Sequence, residues 1–389
     1  MANNHSRCFQ LAVSRRKLKT LLTGATGLVG RAWLQRLLTQ DPEREVVVLA
    51  RHPERIAYHP RVTAIAGDLA SPDLRLDALR SSLYEIAHCA ADIRFGAPLD
   101  EARAVNVEGT RRLLHYARGC PHLVKFAHVS TVYAAGAQPG DYPEAPLVGD
   151  RRFLNAYQQT KHEAEEIVLA ADVPAAIFRL SSIIGDSSGH VHQFNYFHQL
   201  IKMIPRSNLV PMIPGDPRAR ADLIAGDWAA DALAWLFDHA FEPGRIYHVC
   251  AGAAGSLTVE ELVRETFAIF ERHPNAREFL PLRAPRLVNP EEFERFAARR
   301  REGADGIVAE MLRLLDQFLP HLAIAQSFET ARADTALIGS GLERPDTREF
   351  YCKVVEFCLE TNWGRSGSDP AYAPAGEGPA GTAAFEAPR

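Results

Sequence analysis

Short apolar runs alternate with amphipathic stretches through the first half of the chain. LKTLLT, EVVVLA, VTAIAGD, YEIAHCAA, LVKFAHVS and AAIFRLSSII are short and β-rich, and near-continuous hydrophobicity over such lengths marks strands buried on both faces. Between them, Val29–Thr39, Glu101–Ala117 and Tyr157–Ala171 repeat apolar positions every three or four residues, the spacing of helices with one buried face. The alternation predicts βαβ units and a doubly wound α/β fold, a parallel sheet covered by helices on both sides. After Ile184 the rhythm breaks into GHVHQFNYFHQL and a loop carrying Pro211, Pro214 and Pro217. DLIAGDWAADALAWLF then reads as a short strand and a helix, followed by the strand RIYHVCAG and a helix from Thr258. Insertions after core strands usually build a cap, so these elements are expected to form a smaller C-terminal lobe over the binding site. Pro274–Pro345 is charged and helix-rich and receives no role, whereas a helix over Thr347–Thr361 is expected to pack back on the body. The expected organisation is an N-terminal extension (1–17), a core (18–185), a mixed lobe with returning core elements (186–363) and a tail (364–389).

Composition narrows the partners. With 389 residues, 47% hydrophobic and 24% charged, the chain can bury a sizeable core. A net charge of −4 and a pI near 6.4 give no footprint for nucleic acid, and no dense basic tract suggests an anionic membrane surface. Cys8, Cys89, Cys120, Cys250, Cys352 and Cys358 lack CxxC spacing, which argues against a zinc cage or a disulfide framework and predicts buried thiols in a reducing cytosol. The first 17 residues lack the apolar core of a secretory signal, and no apolar run reaches membrane-spanning length, so a soluble, cytoplasmic protein is expected. From Gly364 onward Gly, Ala and Pro dominate, a composition too poor in large apolar groups to offset the entropy of ordering, and a disordered tail is expected.

Candidate chemistry begins in TLLTGATGLVGRAWL, Thr20–Leu34, where an apolar strand runs through three glycines into a helix. In a strand–turn–helix, Gly24 permits the tight turn, Gly27 lets the main chain approach a pyrophosphate and Gly30 lets the helix pack close to the sheet. Thr26, Leu28 and Val29 belong to the same turn and are read as cofactor-binding with Gly24 and Gly27. The core thus reads as Rossmann-like and NAD(P)-binding. In such folds the residue after the second strand meets the adenosine ribose, where an acid favours NAD and a cation NADP. EVVVLA ends at Arg51, which, with Arg31 nearby in sequence, could pair with a 2'-phosphate, making NADPH the preferred and NAD the secondary cofactor. Asp68 and Leu69, after the third strand, are expected to border the adenine.

YQQTK sets Tyr157 and Lys161 one helical turn apart, on one face. A nearby ammonium favours a phenolate, so Tyr157 is a candidate general acid or base. LVKFAHVSTVY brings Ser130 and Thr131 to the carboxyl end of a strand, where ligands of open α/β sheets bind.

The ordered motifs TGATGLVG, HCAADIRF, NVEGTRRLL, HVSTVY, YQQTK and FRLSSIIGDSSGH resemble the extended short-chain dehydrogenase/reductase superfamily over roughly Leu18–Cys250. GDLASPDLRL, AADIRFGAPLDEARAVNVEGT, HVSTVY and IIGDSSG are most similar to fatty acyl-CoA reductases and to the thioester reductase domains that release chains from carrier proteins. The resemblance implies that Thr131, Tyr157 and Lys161 are catalytic, with Ser130 as the alternative hydroxyl. It further implies that Lys161 holds the cofactor ribose and lowers the tyrosine pKa, and that Ala90 and Ala91 lie beside the cofactor. Ser181 and Ser182 match the nicotinamide end, and Asn106 a recurrent structural position. The implied substrate is an acyl thioester on coenzyme A or a carrier protein, or a related small carbonyl compound, and such reductases often dimerise, which makes a homodimer an expectation. The alternative is an NAD-dependent sugar-nucleotide epimerase or dehydratase; those enzymes usually carry Arg-Pro where this chain has Arg179-Leu180, a departure from most reductases too. A cofactor-sensing scaffold is a third reading, disfavoured by the intact Thr-Tyr-Lys set. His190, His192 and His198 lack a carboxylate or cysteine at ligand spacing, so no metal is expected and a polar lining of the lobe is read instead. Arg299–Arg301 is read as a solvated helix face, with docking of an acidic carrier protein as the alternative.

Overall fold

The computed structural model describes residues 18–203, 211–279, 282–301 and 323–365, with Val308, Leu312 and His321 as single positions between. The N-terminal extension and all of the tail beyond Arg365 lie outside them. Seven strands form one parallel sheet: β1 Lys19–Thr23, β2 Glu45–Ala50, β3 Val62–Ala66, β4 Glu85–His88, β5 Lys125–Thr131, β6 Ala175–Leu180 and β7 Ile246–Val249. Their order is β7-β6-β5-β4-β1-β2-β3, and every neighbouring pair is parallel. Chain order reverses between β1 and β4, so the carboxyl ends of these two strands border the crevice in which doubly wound sheets bind ligands. The main helices are α1 Leu28–Gln40, α2 Leu99–Asn106, α3 Glu108–Arg118, α4 Ala156–Leu169, α5 Gly226–His239, α6 Val259–Arg272 and α7 Thr347–Glu360.

Alternation along the strands sends successive side chains into two cores. Leu21, Val47, Ile86, Phe126 and Ile177 pack with Leu113 and Leu114 of α3 and Val168 of α4. Leu22, Val46, Val48, Ala127 and Phe178 pack on the other face with Trp33 and Leu37 of α1 and with Leu233 and Phe237 of α5. Trp33 meets Phe237 edge to face at 5.4 Å. The fold is the expected α/β Rossmann-like sheet.

Three elements differ from expectation. The helix read over Glu101–Ala117 is two, joined at Val107. The side chain of Asn106 at that joint is drawn sideways, donating to the Asp92 carbonyl and to Thr160 Oγ1, both at 2.9 Å. AAIFRLSSII breaks at Ser181: β6 stays in the sheet, while Ser182–Gly185 pairs with Leu223–Ala225. RIYHVCAG, expected in the lobe, supplies β7, the edge strand beside β6.

The stretch without an assigned role is knitted to the body. Gln326–Phe328 pairs with Gly140–Tyr142, and Arg286–Val288 with Met212–Pro214. The buried Glu144 carboxylate accepts from the amides of His248 at 2.8 Å, Arg332 at 2.5 Å and Ala333 at 3.0 Å. One acid therefore joins β7 to the short helix Ala331–Ala336. α7 packs on α6, where the Tyr351 and Thr266 hydroxyls meet at 2.5 Å. Among the described residues no helix is long and apolar enough to cross a membrane.

Candidate active site

The three glycines differ in what surrounds them. Gly24 has φ +79°, and a Cβ there would lie 2.6 Å from the Ala90 amide nitrogen; at Gly30 it would lie 2.2 Å from the Gly24 carbonyl oxygen. These two are required by the protein's own packing. Gly27 is exposed, has an ordinary φ of −86°, and a Cβ there would meet only the Gly24 oxygen, at 3.4 Å. It is the N-cap of α1, with no side-chain cap and no acid in the first turn, so the leading amides of the helix are free of a side-chain acceptor. A glycine whose absent side chain leaves open space above an uncapped helix N-terminus fits the pyrophosphate of a dinucleotide.

Beside this loop, Thr131 ends β5 and is buried, its hydroxyl accepting the Tyr133 amide at 3.2 Å. α4 begins at Ala156, capped by the Asn155 side chain on the Gln158 amide at 2.9 Å, so Tyr157 stands in its first turn. Burial pushes the Tyr157 phenol up to about 12, opposed by the neighbouring Thr131 hydroxyl. Lys161, one turn further on and 3% exposed, donates to the Val129 carbonyl at 2.8 Å and lies 3.2 Å from His128 Nε2. Burial lowers its pKa to about 8, while Glu165 and Cys89 pull it up. Burial is the largest influence on Tyr157, while the Lys161 ammonium donates to the Val129 carbonyl of β5.

Ser130, the alternative hydroxyl, is engaged elsewhere. It points to the opposite sheet face from Thr131 and donates to Glu165 Oε1 at 2.6 Å. The same buried carboxylate binds the Arg179 guanidinium, at 2.7 Å through Nη2, and Arg179 continues to His248. Arg179 is thus held in a buried ion pair. Ser182 Oγ meets the Tyr133 hydroxyl at 2.9 Å, and Ser181 is buried behind it.

Of the remaining candidates, Thr26 is exposed and Leu28 and Val29 partly so, all in the loop and first turn of α1. Ala90 donates its amide to Thr23 Oγ1 at 3.2 Å, and it and Ala91 line the exit of β4, partly exposed. Arg51 and Arg31 are both exposed; burial pushes the Asp92 carboxyl up, but Arg94 and, more weakly, Arg51 hold it below its usual range. Asp68 accepts the Ala70 amide at 2.9 Å and stays partly exposed, whereas Leu69 buries its side chain against Gly109 in the core. Of the three histidines, His198 is fully buried between the Ile184 carbonyl and the Asn195 amide, His190 lies tilted against Phe357 of α7, and His192 is exposed, 3.1 Å from the Asp186 carboxylate. Among the described residues no group of three or more His, Cys, Asp or Glu is arranged to hold a metal ion.

Two residues near the site were not singled out from the sequence. Phe95 stacks on Tyr157 at 5.7 Å and on Tyr196 at 5.8 Å, and His321 lies 5.1 Å from the Tyr133 ring and 5.8 Å from that of Phe95. Phe95 sat in the quoted AADIRF motif; His321, 160 residues beyond Lys161, carried no local signal. An apolar cavity of about 340 Å³, lined by none of Thr131, Tyr157 or Lys161, is walled by Leu154, Ala137, Pro214, Phe293 and Ile324, with Arg152 and Glu294 adding charge.

The sheet order and the glycine turn define a Rossmann-like α/β fold of the extended short-chain dehydrogenase/reductase type. Residues 22–233 match the family described as Male sterility protein, and the chain belongs to that family. It is 28% identical to the isonitrile lipopeptide synthase of Streptomyces coeruleorubidus over 88% of this chain and 24% of that protein. To fatty acyl-CoA reductase 1 of Xenopus laevis it is also 28% identical, over 67% of this chain and 62% of the other. The chain therefore spans less than two thirds of either relative. Among solved structures, the terminal R domain of the myxalamid PKS-NRPS pathway aligns with a TM-score of 0.72 at 21% identity, covering 90% of this chain and 93% of that one.

Proposed function

We propose that the protein is an NADPH-dependent reductase of an acyl thioester, carried on coenzyme A or on a carrier protein, with Thr131, Tyr157 and Lys161 as its catalytic residues. The observation that carries the reading is the buried Thr131 and Lys161 with the partly buried Tyr157 one helical turn before Lys161, together with an uncapped helix N-terminus carrying an open glycine. The reduced nicotinamide, when bound, supplies hydride. Thr131 and Tyr157 hydrogen-bond the thioester oxygen, and Tyr157 gives it a proton as the carbonyl carbon is reduced. A phenol held up at about 12 is protonated at neutral pH, the state a reduction requires. The resulting thiohemiacetal expels thiol and leaves aldehyde. Lys161, with two of its three donors on Val129 and His128, keeps one for the cofactor ribose. Ala90, Ala91, Asp68 and Leu69 border the cofactor, and Arg51 faces the 2'-phosphate. The apolar cavity beside Leu154 supports a substrate with a hydrocarbon portion. The sequence boundaries of the lobe, a homodimer and a cytoplasmic location belong to the same proposal.

The test is purified protein with NADPH or NADH, following reduced-nicotinamide absorbance on addition of decanoyl-CoA or decanal, with Tyr157→Phe alongside. Oxidation of NADPH in preference to NADH, lost in the variant, is expected; product analysis distinguishes aldehyde from alcohol. No oxidation, together with NAD released on denaturation, would overturn the reading in favour of an epimerase or dehydratase.

A further inference from the structure

Two histidines stand side by side under the catalytic helix. His88 of β4 and His128 of β5 are register partners, with ring centroids 5.2 Å apart, and are 1% and 0% exposed. His88 uses both nitrogens, Nδ1 on Thr23 Oγ1 at 2.8 Å and Nε2 on Thr110 Oγ1 at 2.9 Å, which explains its burial as a structural tie. His128 has no such tie. Its Nδ1 has no hydrogen-bond partner, and its Nε2 meets only the Lys161 ammonium, at 3.2 Å. Burying an imidazole with one nitrogen unsatisfied costs stability, so the contact with Lys161 is the interaction that distinguishes this residue from an apolar one.

We infer that His128 is a positioning residue for Lys161, its Nε2 accepting one ammonium hydrogen so that, with the Val129 carbonyl, two donors are fixed and the third is left for the cofactor. Burial and the neighbouring Lys161 charge hold His128 far below its ordinary pKa, so it is neutral and able to accept. The charged and titratable groups around Lys161 are His128, His88 and Cys89 from the sheet, and Tyr157 and Glu165 from α4. Among the sheet groups, His128 is the nitrogen acceptor in direct contact. Removing it takes stabilisation from the ammonium, and Lys161 then loses its proton at lower pH.

This inference deepens the proposed function and rests on Lys161 holding the cofactor, so it is tested by cofactor binding, not by turnover alone. NADPH affinity is titrated by fluorescence from pH 6 to about 9.5 for wild type, His128→Leu, His128→Gln and His128→Asn, with circular dichroism melts for each. Affinity should fall above pH 8 in the wild type, and the midpoint should move about one pH unit lower in His128→Leu, the scale of one lost hydrogen bond to a charged group. Gln, whose amide oxygen reaches the position of Nε2, should restore the midpoint; Asn, one methylene shorter, should not. If Leu does not fold, the Gln and Asn pair carries the test. Equal midpoints in all folded variants would overturn the inference. Turnover with decanoyl-CoA and decanal is run in parallel: its absence in wild type that binds NADPH would count against the reductase reading alone, leaving the binding result to judge His128.

Discussion

Substituting Gly27 and Gly30 separately by alanine should divide binding from folding within one loop. At Gly30 the new methyl would sit 2.2 Å from the Gly24 carbonyl oxygen and 2.6 Å from its carbon, both rigid main chain, so helix α1 must move away from the turn. Overpacking of this kind costs about 1–3 kcal/mol or more. At Gly27 the methyl meets one atom at 3.4 Å, an ordinary contact, and φ of −86° suits any residue. The remaining cost there is the poorer N-cap preference of alanine, about 1 kcal/mol or less. Gly27→Ala should therefore melt close to wild type and bind NADPH at least tenfold more weakly, equivalent to about 1.4 kcal/mol, because its methyl occupies the approach to the pyrophosphate. Gly30→Ala should lose several degrees of Tm. Differential scanning calorimetry and a fluorescence titration of NADPH read the two effects. A Gly27→Ala protein that binds NADPH as well as wild type would refute the assignment of this turn as the phosphate cradle.

Other substitutions address the rest of the site. Arg51→Ala should weaken NADPH by roughly tenfold while leaving NADH little changed, read from KM for each cofactor. Glu165→Gln should leave the 1%-exposed Arg179 guanidinium without its carboxylate and lower stability by roughly 3–5 kcal/mol, measured by urea denaturation. Lys161 has its pKa lowered from 10.5 to about 8, so between those values the unfolded chain binds more protons than the folded one and the lysine's contribution to stability rises with pH. Lys161→Met should accordingly gain stability relative to wild type at pH 7, converge with it by pH 10, and be inactive; melts at both pH values check this. Phe95→Ala should uncover the Tyr157 ring and raise KM for decanal more than it lowers kcat.

What the chain revealed in advance follows the range of the interactions concerned. The parallel sheet was legible because each strand carries its own apolar run, and the glycine turn because Gly24 and Gly30 answer to atoms within a few residues or on the adjoining strand. YQQTK was legible because helical spacing alone aligns Tyr157 with Lys161. Ser130 and Thr131 were not separable until strand alternation and the position of Glu165, 35 residues on, were known. β7 was misassigned to the lobe because an edge strand has the same apolar pattern wherever it pairs. Phe95 and His321 are brought to Tyr157 and Tyr133 by tertiary packing that leaves no periodic trace.

The Glu144 junction bears on how far this fold can be cut. The family match ends at residue 233, yet β7, which pairs with β6, and the Ala331–Ala336 helix, held through the same carboxylate, both come later. A fragment trimmed to the matched span would bare the hydrogen-bonding edge of β6 and strip α7 from the apolar face beneath Phe350 and Val354, a ready template for self-association. A unit for domain grafting should therefore run through α7, since β7 and the elements after it close the sheet edge and the core that the matched span leaves open.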